Sequence, residues 1–140
     1  MEMRLAALIQ KPGHGPRAMR AQEVFDMATL SGAKALNWID EIGSIEPGKK
    51  ADLALFNLSA PENLSGDTLL DQKYGQVDPA AYVSALVYST ERHHLQWTMV
   101  DGKPVYKNGR LTAMSNQTLL SKVNQAHKTI LAQAKKSVQK

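Results

Sequence analysis

Residues 43–56 (GSIEPGKKADLALF) and their partner block at 100–109 (VDGKPVYKNG) constrain this chain more than any other feature. Pro47-Gly48 is a turn, because proline presets φ and glycine accepts a positive φ. The run Ala51–Leu58 that follows has the length and apolar content of a buried strand. In the second block, Asp101-Gly102 is a dipeptide suited to a two-residue hairpin turn, so Leu95–Val100 and Lys103–Lys107 are expected to pair. Asn108-Gly109 supplies another reversal. A fold containing these blocks is built around short antiparallel strands.

Helical patterns flank them. Leu5, Leu8 and Ile9 recur at helical spacing within Met1–Gln10, and Pro12-Gly13 is expected to end that helix, leaving Lys11–Pro16 as a loop. Ala21–Leu36 reads as a helix with Val24, Phe25, Ala28, Ala35 and Leu36 on one face and a possible break at Gly32. Asn37 stands where a left-handed cap would close it, with Trp38 and Ile39 covering the edge of the apolar face. Pro79 opens a short helix carrying Ala80, Tyr82, Val83, Leu86 and Val87. Gln117–Val138 is the longest helix, and its start should fray because its first turn holds no carboxylate. Between these, Ser59–Asp78 reads as a long surface connection with one helical turn near Thr68–Leu70.

Taken in order, Glu2–Leu8, Ala28–Leu36, Gly43-x-Ile45-x-x-Gly48-x-x-Ala51-Asp52-Leu53, Ser84–Tyr88, and Val100-Asp101-Gly102-Lys103-x-Val105 with Gly109 resemble the C-terminal end of the metal-dependent amidohydrolase superfamily. The likeness is to its ring-deaminase and triazine-chlorohydrolase branch and covers residues 2–112 with gaps. It implies a (β/α)8 barrel holding a metal and a composite β-sandwich made from both chain ends. In such an enzyme a bound divalent metal, zinc or iron, lowers the pKa of a water that attacks an electron-poor ring carbon. The resemblance places the family's metal ligands upstream of Met1, so none carries over to a position here. Whether Met1 is internal to a longer gene or the start of a truncated, split or excised version stays open.

The resulting expectation is an α+β unit. Residues 1–42 would be terminal barrel-type helices of an incomplete barrel and 43–58 sandwich-type strands. An irregular connection (59–78), a short helix (79–92), a β-hairpin (93–113) and a C-terminal helix (114–140) would follow. About four strands are too few to close a sandwich, so open edges need the missing N-terminal barrel and sandwich portion or self-association. The chain is expected to act as scaffold without a catalytic, cofactor or metal residue of its own. The alternative is a stand-alone oligomerisation or binding module. A heterocyclic small molecule would be a partner of the complete enzyme only.

Composition bounds other classes. With 140 residues the chain fits one domain, and with no cysteine it has neither disulfides nor thiolate ligands. It contains no signal-peptide pattern and no apolar run near the ~20 residues of a membrane span, a combination read here as cytoplasmic. All 13 acidic residues lie at or before Asp101, giving that part a balance of −4, while residues 102–140 carry eight positive charges and no acid. Without aromatic residues after Tyr106, this basic tail reads as a solvated helix face and not as a nucleic-acid surface.

Among chemistry-bearing residues, the adjacent pair His93-His94 would point to opposite faces of an extended segment and could not readily chelate one ion. His14 falls in the expected Gly/Pro loop and His127 on a helix surface. Asp40-Glu41 and Glu46 have no nucleophile or histidine at recognisable spacing, and Ser31, Ser84, Ser89 and Tyr88 have no base in a triad-like pattern. Gly13-x-Gly15 lacks the strand and third glycine of a dinucleotide loop. Asp52 is expected to accept backbone N–H groups at the Pro47-Gly48 turn, tying Gly48 to the strand.

Overall fold

A computed structural model describes residues 2–63 and 78–138. Helices α1 (Glu2–His14), α2 (Ala21–Ala28) and α3 (Leu30–Ala35) precede strand β1 (Leu53–Phe56). A 3-10 turn (Pro61–Asn63), helix α4 (Pro79–Tyr88) and a second 3-10 turn (Arg92–His94) follow. Strands β2 (Leu95–Val100), β3 (Lys103–Lys107) and β4 (Arg110–Leu111) then lead into helix α5 (Asn116–Val138). The described residues therefore combine helices with one small antiparallel sheet in the order β1-β2-β3-β4. The expected turn at Thr68–Leu70 lies outside the described residues.

The hairpin forms with the expected bounds. Asp101 (φ 48°) and Gly102 (φ 74°) both take positive φ, as does the second pair, Asn108 (φ 47°) and Gly109 (φ 82°). Primed turns of this kind match the right-handed twist of the strands they join. The buried strand expected over Ala51–Leu58 shortens to Leu53–Phe56, with Ala54 and Leu55 exposed. Its register with β2 shifts between Leu55 and Phe56, where Gln96 of β2 is the extra, unpaired residue.

Two helix boundaries differ from expectation. Pro12 lies inside α1, which runs on to His14 before Gly15 (φ 87°) donates its N–H to Lys11 O at 2.9 Å. Proline there costs one hydrogen bond, to Leu8 on the exposed side of a final turn, where water can replace it. The break between α2 and α3 falls at Thr29 (φ −126°, ψ −98°), not Gly32. Thr29 Oγ1 donates to Phe25 O at 2.8 Å, the local side-chain bond that competes with a helix. Gly32 serves proximity instead, since a Cβ there would lie 2.9 Å from Met27 O. Asn37 does close α3 in the left-handed region (φ 58°). Trp38 N donates to Ala33 O and Asn37 N to Lys34 O, the paired bonds of a Schellman cap.

The core is small. Ala7, Val24 and Val87 bring α1, α2 and α4 together, with Met3, Ala6, Met19, Ala21, Phe25 and Tyr88 packed around them. Trp38, expected to cover an apolar edge, is 54% exposed. Helix α5 makes no extended contact with another described element. Leu120, Val123, Ile130 and Leu131 along it stay open. Its first turn is better held than expected, because Ser115 Oγ accepts the Thr118 N–H at 3.1 Å as an N-cap.

Candidate functional site

Three buried polar residues, Asn63, Thr90 and His94, gather where the two 3-10 turns meet. Burying such groups is costly unless each finds a partner, so among the described residues this knot is where polar groups are held out of water. The chain leaves α4 through Thr90, whose N–H donates to Ala85 O at 2.8 Å and whose Oγ1 lies 3.0 Å from the same carbonyl. Asn63 Oδ1 sits 3.3 Å from Thr90 Oγ1, while Asn63 Nδ2 has no partner. A hydroxyl has one proton; with that proton on Ala85 O, Thr90 Oγ1 is left to accept, which turns the Asn63 amide so that its NH2 faces Thr90. Arg4 Nη1 meets Glu91 Oε1 at 2.9 Å, pinning α1 to the same corner.

His93 and His94 occupy a 3-10 turn, not the extended segment expected, and that corrects the reason for setting the pair aside. Both rings approach one carboxylate: Glu62 Oε1 is 3.0 Å from His94 Nε2 and 3.3 Å from His93 Nε2. The ring centroids lie 3.9 Å apart. Glu91 N–H donates to His94 Nδ1 at 2.8 Å. That bond requires a bare Nδ1, so the neutral ring carries its proton on Nε2 and donates it to Glu62. Glu62's carboxyl is held below its ordinary range, first by its own backbone N–H, then by His93; partial desolvation opposes this and His94 adds to it. Sequence spacing gave no sign of the cluster, because Glu62 stands 31 residues before His93 and only the fold closes that gap.

Zinc, as a catalytic ion, needs about three protein lone pairs converging on one point. Among the described residues, Glu62, His93 and His94 form the one grouping of three possible ligands. With the His94 lone pair committed to Glu91, the grouping offers two, so it does not fit a catalytic zinc centre and no chemical step passes through it.

The remaining candidates stay apart. His14 ends α1 and His127 sits on α5, both exposed. Glu41 hydrogen-bonds and pairs with Lys50, whose ammonium is held above its ordinary pKa by that contact. Glu46 receives the Ser44 hydroxyl, which together with the Lys49 charge keeps its carboxyl below the usual range. Asp52 does accept a backbone N–H, but from Asp101 at 2.7 Å and not from the Gly48 turn. Ser31 and Ser84 are exposed on α3 and α4. The concavity at Gln117, Leu120, Asn124 and Lys128 is walled by one helix face alone.

A match to the amidohydrolase family spans residues 1–105. Over 126 residues the chain is 32% identical to a 5′-deoxyadenosine deaminase of Methanobrevibacter smithii, covering 89% of this chain and 26% of that protein. A zinc-bound adenosine deaminase from Xanthomonas campestris superposes with a TM-score of 0.73 at 34% identity, covering 94% of this chain and 27% of that one. The zinc complex of atrazine chlorohydrolase from Arthrobacter aurescens TC1 gives 0.64 at 23% identity, over 89% and 25%, a likeness of fold. The chain thus spans about a quarter of the length of the relatives it matches.

Proposed function

Because this chain belongs to the amidohydrolase family, we propose that it forms the C-terminal scaffold of a metal-dependent enzyme that hydrolyses C–N or C–Cl bonds of nitrogen heterocycles. The observation carrying this reading is the family match over residues 1–105 in a chain a quarter as long as its relatives. In this reading α1–α3 are closing helices of a barrel and β1–β4 the chain's share of a composite sandwich. The apolar surface supports it: Leu5, Leu8 and Ile9 of α1, with Trp38 and Ile45, lie open where a larger body would cover them. The second edges of β1 and β4 are likewise unpaired among the described residues, and edges of that kind call for a neighbour.

The names of the relatives direct the substrate toward an adenine nucleoside, whose amino-bearing ring carbon is the one attacked in a deamination. In this reading the chain supplies no group to that step; its part is to hold the wall against which the reacting portion packs. The test replaces the matching quarter of the Methanobrevibacter smithii deaminase with this chain and follows 5′-deoxyadenosine by the loss of its adenine absorbance. The hybrid should deaminate in the presence of zinc, and the chain alone, with zinc, should not. Turnover by the isolated chain would overturn the scaffold reading.

A further inference from the structure

The geometry points to a surface site for a divalent first-row transition ion of the zinc, nickel or copper kind, built from Glu62 and His93 and oriented by His94. Bonds of about 2.0–2.1 Å to imidazole nitrogen and carboxylate oxygen place two ligands of one ion roughly 2.9–3.4 Å apart, the lower figure for octahedral and the upper for tetrahedral angles. His93 Nε2 and Glu62 Oε1 stand 3.3 Å apart, inside that window before any ion arrives. Both side chains are exposed, so two or more coordination positions remain for water.

His94 gives the pair its rigidity. It is 4% exposed, its Nδ1 is taken by the Glu91 N–H, and its Nε2–H holds Glu62 Oε1 at 3.0 Å. A buried imidazole donating to a ligating carboxylate is the arrangement that fixes a ligand's direction and reduces the freedom lost on binding. His94 is therefore a positioning residue, and the ligands are its neighbours. The ion would clip the Pro61–Asn63 turn to the Arg92–His94 turn at the point where the chain enters β2. The site stands on these three residues alone and does not depend on the enzyme class.

Nickel titration of the full chain near pH 7.5 by calorimetry, with ¹⁵N-edited spectra of the imidazoles, tests the site. One ion per chain should bind, broadening the His93 ring signals before those of His14 and His127. Glu62→Gln and His93→Gln should each weaken binding at least tenfold. The ion should also raise the unfolding temperature of the parent chain and leave that of both variants unchanged, as binding to the folded state alone requires. No saturable binding, or binding that survives either substitution unweakened, overturns the site.

Discussion

Gly43 shows how much one residue can decide. Its φ of 96° lies where side chains are strained, and a Cβ would come within 2.8 Å of the Ala33 Cβ and 3.2 Å of Thr29 O. Gly43→Ala should cost about 1–3 kcal/mol, read as a lower urea midpoint at unchanged slope. Asp52→Ala removes the acceptor for Asp101 N. Because that site is exposed, the loss should be about 0.5–1.5 kcal/mol, again by urea titration. Glu46 sets a pH dependence. Its carboxyl titrates below its ordinary 4.5, first through the Ser44 hydroxyl and then through the Lys49 charge. The folded state thus holds the proton less tightly than the unfolded chain. The stabilisation is present above about pH 4.5 and disappears as pH falls through the lowered value. Glu46→Gln should flatten that acid limb in a pH series of thermal melts, and an unchanged limb would count against the Ser44 contact.

At the level of elements, local chemistry specified turns and caps more reliably than helix ends. Asn37, Asp101-Gly102 and Asn108-Gly109 each took the left-handed φ that Asn, Asp and Gly tolerate. Asp78 caps α4 by accepting the Ala80 N–H at 2.9 Å, just before Pro79. The break at Thr29 was hidden, because a threonine that bonds back to its own helix looks in sequence like any helical threonine. Pro12 misled in the other direction, since a proline in a last exposed turn ends nothing. Helix α5 depends on Ser115 in the same local way. Ser115→Ala should cost that helix about 1 kcal/mol and speed amide exchange across its first turn, while exchange in β2 stays unchanged.

For the whole molecule the decisive fact is the imbalance between a core centred on Ala7, Val24 and Val87 and a surface with many large apolar side chains. Hydrophobic stabilisation scales with area removed from water, so the exposed apolar side chains of the described residues contribute little of it here. Trp38 reports on this directly. In the isolated chain its fluorescence should be open to acrylamide, and in the hybrid with the relative's remaining three quarters it should be shielded and shifted to shorter wavelength, with Trp38→Phe identifying the signal.

Sequence alone determined the family, the hairpin with its two tight turns, the Asn37 cap and the helix starting at Pro79, because each rests on residues adjacent in the chain or on a pattern a whole family shares. Tertiary structure alone decided that Asp52 reaches Asp101, that Glu62 meets two histidines, and that Asn63 and Thr90 are buried together. Those contacts join positions 27 to 49 residues apart. Local spacing carries no information about which distant backbone a side chain will find, and the path of the fold supplies it.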